Sequence, residues 1–197
     1  MFRRACCSDA RQEEPIEMNQ KRVLLLALPM LLAACATTTT DMSNVANATP
    51  EPQIAAIVIA ANEGEVQQGQ AASSRATNAD VRAFAQMMVT DHTTALNNAR
   101  DTFNRTAITP ADNDISNTLR TNSQATVRAL ETYTGTAFDR AYMQTQVELH
   151  SWLLRQLDAN LIPSATTPEL RTLLQTQRGA VAAHRDRAQQ ILNGLPR

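Results

Sequence analysis

From Thr49 onward the apolar residues of this chain return every three or four positions, and glycine and proline fall largely at the boundaries between such runs. That period marks one apolar face of an α-helix and commits the chain to an all-α fold. The plainest stripe is Val81, Phe84, Met88, His92, Ala95, Ala99 and Phe103. A later one runs Phe138, Tyr142, Gln146, His150, Leu153, Leu157 and Leu161, and the last runs Leu170, Leu173, Gln177, Val181, His184, Ala188 and Ile191. The first, Ile54, Val58, Ala61, Glu65, Gln68 and Ala72, is more polar, and the third, Ile115, Leu119, Val127, Leu130 and Tyr133, is the weakest.

Start signals divide the runs into five helices. Thr49-Pro50-Glu51 opens the first, with a capping hydroxyl, a proline and an acid facing the positive helix end. Thr77-x-x-Asp80 opens the second and Thr136-x-x-Asp139 the fourth, both resembling capping boxes with Asp in place of Glu. Asp112 or Asp114 opens the third, and Thr167-Pro168-Glu169 opens the fifth, which stops near Asn193-Gly194. Short loops between long amphipathic helices make antiparallel neighbours. RAFAQMMVTDH at 82–92 returns as RAYMQTQVELH at 140–150, 58 residues later, which points to two duplicated helical hairpins with a fifth helix closing the structure.

The chain holds three histidines, and each closes a Val-x-x-His on an apolar stripe. His92 lies 14 residues past Asn78 and His150 lies 14 past Thr136, roughly 21 Å down each helix at about 1.5 Å per residue. His184 and Glu65 fall at similar depth on helices running the other way. His92, His150, His184 and Glu65 are therefore expected to meet at mid-height as a buried polar cluster or a metal site. Three imidazoles and one carboxylate suit a single zinc, copper or nickel ion. A di-iron site needs Glu-x-x-His on two helices, and here Val89, Val147 and Val181 stand three before each His. Asp91 and Glu148 are rotated by about 100° and 200° from the adjacent His. The alternative is three core histidines hydrogen-bonded to polar neighbours, with Gln146 and Gln177 the ready partners on the same stripes. Gly64 and Gly69, inside the first helix, read as close-packing positions, and Trp152 as a core or interface residue.

The N-terminus speaks of location. Met18 to Cys35 reads MNQKRVLLLALPMLLAAC, a short basic start followed by an apolar run from Val23 to Ala34. At about 12 residues that run has signal-peptide length and is too short for a roughly 30 Å hydrocarbon core. It ends in Leu32-Ala33-Ala34-Cys35, which resembles a bacterial lipobox and implies diacylation of the Cys35 thiol, cleavage just before it and acylation of the new amino group. Ala at 36 rather than Asp points to the outer membrane, facing the periplasm. Residues 1–17 read as an upstream mis-start, 18–34 as signal peptide, 35–50 as a lipidated flexible tether and 51–197 as the bundle. Cys6 and Cys7 precede Met18, so the mature chain keeps Cys35 alone and forms no internal disulfide. The fold rests on its core.

With 18 basic and 19 acidic residues and a net charge of −1, there is no basic stripe with interleaved aromatics of the kind that nucleic acid requires. No Gly-x-Ser-x-Gly, phosphate loop or second mature cysteine offers an enzyme's machinery.

The stretch ANEGEVQQGQAASSRATNADVRAFAQMMVTDHTTALNNA, then FDRAYMQTQVELH, then a late His on the last helix, resembles the domain-of-unknown-function family numbered forty-one forty-two. That family comprises predicted outer-membrane or periplasmic proteins regarded as ferritin-like. The resemblance covers nearly all of 54–192. It implies an exported helical bundle and no particular activity. Where the family is expected to carry an acidic or His pair in its second half, this chain has Leu149-His150.

The sequence is thus read as an up-and-down, ferritin-like four-helix bundle with an additional C-terminal helix, anchored in the membrane through Cys35. Two functions stay open. One is a non-enzymatic envelope lipoprotein that binds an envelope partner or acts as a structural or stress-related module. The other is a mononuclear metal-binding or redox protein using its inward histidines.

Overall fold

The computed structural model describes residues 48–196. The segments read above as mis-start, signal peptide and tether, with Cys35, lie outside them up to residue 47. Among the described residues every regular element is helical: α1 (Glu51–Arg75), α2 (Ala79–Thr106), α3 (Asp114–Leu130), α4 (Gly135–Gln156), a π-turn (Leu157–Leu161), the short α5 (Ile162–Ser164) and α6 (Pro168–Gly194). None of these helices is long and apolar enough to cross a membrane.

Hydrogen bonds between helices fix their directions. Asn113 bonds Gln53, Ser123 bonds the Gly64 carbonyl and Arg75 bonds the Tyr133 carbonyl, so α3 runs alongside α1 in the same sense. Asp139 near the start of α4 meets Thr77 just past the end of α1, and Ser164 at the end of α5 meets Thr49, so α4 runs against α1. The chain alternates direction through α1, α2, α3, α4 and α6. The four helices that surround the polar centre are α1, α2, α4 and α6, and the helix outside them is α3. The C-terminal helix is thus a wall of the bundle, and the additional helix lies mid-chain. The weak third stripe explains this: α3 buries only Ser116, Leu119, Ser123 and Leu130. Tyr133, read as part of that stripe, lies past the helix end and is exposed.

The local capping signals are used differently from the sequence reading. Asn78, not Thr77, caps α2, its side chain accepting from the Asp80 and Val81 amides. Pro50 is the N-cap of α1 and Thr134 that of α4, neither with a side-chain cap bond. Among the described helices only α3 has a capping box, between Asn113 and Ser116. The acids reach across to other helices instead. Asp139, 1 % exposed, accepts from the Thr77 amide (3.0 Å), the Thr77 hydroxyl (2.5 Å) and the Asn78 amide (2.9 Å). Glu51 does the same at the turn into α6, accepting from the amides of Thr166 and Thr167 (both 2.7 Å) and from both hydroxyls. Burial pushes the Glu51 carboxyl up, and these four donors outweigh it and hold it low.

The two turns share a pattern, ATNADVR at 76–82 and ATTPELR at 165–171. In each the arginine folds back onto the alanine carbonyl, Arg82 onto Ala76 and Arg171 onto Ala165. By this criterion α2 corresponds to α6 and α1 to α4. The 58-residue echo joins α2 and α4, which run the same way but follow different kinds of turn.

Two apolar clusters fill the bundle. One holds Ile54, Ile57, Phe103, Leu153, Leu161, Leu170 and Leu174, and the other Val81, Phe84, Met88, Phe138, Tyr142, Met143 and Ile191. Asn62, Glu65, Gln68, His92, Gln146, His150 and His184 are all buried between them in sequence along each helix. The helices approach closely beside this layer. A Cβ on Gly69 would stand 3.0 Å from the Ala85 carbonyl oxygen and 3.0 Å from Val89 Cγ2. Because one neighbour is backbone, Gly69→Ala is expected to cost about 1–3 kcal/mol, read by urea unfolding. A change within experimental error would mean that α1 and α2 can separate freely there.

Candidate metal centre

Each histidine comes from a different helix, His92 from α2, His150 from α4 and His184 from α6. Their ring centroids stand 5.9, 5.2 and 5.6 Å apart. One ring nitrogen of each lies within 4.8 Å of those of the other two.

The partners of each ring decide which nitrogen carries the lone pair. Asn62 Nδ2 donates to the Val58 carbonyl at 2.8 Å, which turns its Oδ1 toward His92. His92 Nδ1, 2.9 Å from that oxygen, is therefore the protonated nitrogen. His150 Nδ1 stands 2.8 Å from the Gln146 carbonyl oxygen, which can only accept. His184 Nε2 stands 3.0 Å from Asp91 Oδ2, again an acceptor. Each ring thus donates outward and is left with an unprotonated nitrogen: His92 Nε2, His150 Nε2 and His184 Nδ1. All three are buried without a hydrogen-bond partner. An imidazole held by an acceptor on one nitrogen, with the other free, is the usual condition of a metal-binding histidine.

Burial also keeps the rings neutral. It holds His92 well below the ordinary imidazole range, helped by repulsion from His150 and His184. His150 is lowered to about 4 by burial, against the opposing pull of the Gln146 carbonyl. His184 is lowered by burial too, with Asp91 opposing. Neutral imidazole is the form that binds a metal.

Glu65 is fully buried, and both its oxygens lack a hydrogen-bond partner. It lies 3.7 Å from His150 Nδ1, on the outward side of that ring, so it joins the polar layer without entering the three-nitrogen cluster. Burial raises its carboxyl to about 7, with the Gln146 amide and the nearby His184 opposing. That amide does not satisfy it, because Gln146 Nε2 makes its one hydrogen bond to Gln68 Oε1 at 3.3 Å. Tyr142, its hydroxyl also buried without a partner, is pushed well above its usual range by burial and then by Glu65.

The raised Glu65 carboxyl has a measurable consequence. Unfolded, it titrates near 4.5, and folded near 7. Between those values the folded chain binds more protons, so this group's contribution to stability falls as pH rises. The histidines move the other way, since burial lowers them from 6.5, and losing Glu65 in Glu65→Gln removes one upward pull on His184, which acts in the same direction. The variant should therefore gain on wild type between about pH 5 and about pH 8. Denaturant unfolding in chelator reads this, and an equal difference at both pH values would contradict it.

Gln177 Nε2 is buried without a partner and lines a small cavity beside His92 and His184. Gln146 contributes to the centre mainly through its backbone carbonyl. Sequence reasoning missed Asn62 and gave Asp91 no partner. Asn62 stands three residues before Glu65 and directly after the apolar run Ile54 to Ala61, which could have marked it. Asp91 points away from His92, as its rotation requires, and reaches His184 on α6. A larger groove of about 680 Å³ lies on the far side of α1, between α3 and α4, and is lined by Gly64, Leu119, Ser123, Leu149 and Trp152. It does not touch the histidines.

A family model described as "Domain of unknown function (DUF4142)" matches residues 36–191. The chain belongs to this family. No curated protein and no solved structure matches it. The DUF4142 domain of this chain is thus an all-α bundle whose three buried histidines, one from each of three helices, stand close enough to hold a metal ion.

Proposed function

We propose that this DUF4142 protein is an envelope-anchored, ferritin-like bundle that binds a single transition-metal ion through His92, His150 and His184. The observation that carries the reading is the set of three unprotonated, unpartnered nitrogens at the centre of the bundle. Buried polar atoms are hydrogen-bonded in the great majority of cases, and each exception calls for an explanation. A cation accounts for these three together, with Glu65 supplying negative charge in the same layer. Imidazole suits zinc, copper, nickel and iron, and three protein nitrogens leave one position open in a four-coordinate ion. Such an ion would supply Lewis acidity or, for copper, electron exchange. The protein's own part is to hold three neutral imidazoles in fixed tautomers and to exclude water.

The ferritin-like reading draws support from direction and connectivity. The site-bearing helices α1, α2, α4 and α6 run up, down, down, up, with α3 as the long return between the hairpins, the one-crossover arrangement of ferritin-like bundles. The absence of Glu-x-x-His separates this centre from the di-iron type. Lipidation at Cys35 and an outer-membrane, periplasm-facing location rest on the Met18–Cys35 pattern. The groove of about 680 Å³ supports a second role as a module that binds an envelope partner, since small-ligand and recognition sites favour mostly apolar concavities of roughly 300–1,000 Å³.

The test is a thermal melt of the apo protein titrated with zinc, cobalt or copper. At a free metal concentration about a hundred times Kd the folded state gains about 2.7 kcal/mol, or about 5–10 °C for a domain of this size. A melting temperature indifferent to all three metals would sink the proposal.

A further inference from the structure

The small cavity beside the histidines has a shape and a chemistry of its own. It measures about 60 Å³ and touches His92 and His184. Its lining also includes Asp91 and Ala180, both exposed, and Ala95, half-buried. It therefore leads from the surface between α2 and α6, where two alanines leave a gap, down to the rings.

Its floor is apolar: Ile57, Val58, Leu153, Leu157, Leu161 and Val181. Two of these leucines come from the π-turn. Pro163 lacks an N–H and cannot continue the regular ladder, and just before it Ile162 donates to the Leu157 carbonyl in the wider π pattern. The widened turn keeps both Leu157 and Leu161 buried against the cavity. Turns of this kind occur often at functional sites.

Besides the ring nitrogens of His92 and His184, one polar atom without a partner stands in the lining, Gln177 Nε2. It is a donor. The other orphaned atoms of the centre, apart from the Tyr142 hydroxyl, are acceptors: the three imidazole nitrogens, both Glu65 oxygens and Gln146 Oε1. A molecule that sits in the cavity, coordinates a cation and satisfies Gln177 must carry lone pairs at both ends. The volume admits about two waters at roughly 30 Å³ each, which limits it to two or three heavy atoms.

We infer that the centre takes a small anionic ligand, of the size of azide or cyanide, which enters between Ala95 and Ala180, fills the open coordination position and accepts a hydrogen bond from Gln177. This inference rests on the metal-binding reading above and adds an exogenous ligand to it. The apolar floor strips water from the anion, and the metal and the Gln177 amide replace that solvation. Larger or strongly hydrated anions, sulfate among them, have neither the room nor enough donors.

The experiment uses the full-length chain in detergent, loaded with cobalt(II), whose visible spectrum reports changes in coordination. Cobalt affinity is measured for every variant, so that a lost anion response is separated from lost metal. Azide should produce a saturable spectral change in wild type, and sulfate none. Gln177→Leu should weaken azide about 5- to 10-fold, the size of one lost hydrogen bond. Ala180→Leu, which narrows the mouth, should slow azide entry at least several-fold. Cobalt that binds through the histidines but leaves a spectrum unmoved by azide overturns this inference alone. Azide binding of equal strength and rate in wild type and both variants overturns the assigned route and donor. A chain that binds no cobalt overturns this inference together with the metal-binding reading.

Discussion

Asp139→Ala is expected to lower the unfolding free energy by about 3 kcal/mol, the scale set by buried charge-assisted hydrogen bonds at about 1.5–3 kcal/mol each. The carboxylate is almost completely buried and is the joint acceptor for two amides and a hydroxyl at the α1–α2 turn. Removing it leaves these three donors without the acceptor they share. Asp139→Asn should cost nearly as much, because an amide turns a donor toward at least one of them. For a domain of this size the loss lowers the melting temperature by about 6–12 °C. Glu51→Ala removes the matching contact at the turn into α6 but from a more exposed place, and should cost about 1 kcal/mol, near the value of an ordinary cap. Equal and small losses at both positions, read by denaturant unfolding, would mean that these acids follow the turns rather than fix them.

The second large effect concerns the centre, and its signature is a graded series. His150→Ala or His184→Ala removes a proposed ligand and should lower metal affinity by at least about a hundredfold, beyond the range set by outer partners. Asn62→Ala and Asp91→Ala leave all three rings in place and release one of them, so each should lower affinity by about 10- to 100-fold. Asn62 is the sharper case. Its amide is pinned by the Val58 carbonyl, and it alone fixes which His92 nitrogen faces inward. Isothermal titration with zinc on chelator-stripped protein separates the two classes. A series in which the Asn62 and Asp91 variants match wild type would mean that the tautomers are not set by these partners.

Much of this molecule is legible in its sequence, because a helix reports its buried face directly. The stripes through His92, His150 and His184 mark three residues that turn inward, and similar depths from the helix starts put them near one height. Glu65 is legible in the same way. What a stripe does not report is the neighbour it faces. Asp91 is on the wrong side of α2 for His92 and on the right side for His184, which depends on how α6 is rotated. Asp139 and Glu51 look like local caps because acids near helix starts commonly are, yet here each spans to the opposite hairpin. The same limit moved the extra helix. Periodicity shows that α3 has a thin apolar face, and packing of Ser123 on Gly64 is what seats it outside the four. The echo between α2 and α4 reflects a shared inward face, whereas the matching turns pair α2 with α6.

The central claim is that three histidine nitrogens at the middle of the bundle hold a metal ion. Metal content by mass spectrometry, on the full-length chain purified without chelator, tests it most directly. A companion protein carries His92, His150 and His184 all changed to Ala. The account predicts close to one equivalent of a transition metal in wild type and none in the variant. Metal-free wild type that also fails to take up added zinc, cobalt or copper would contradict it, and the three histidines would then be polar core residues.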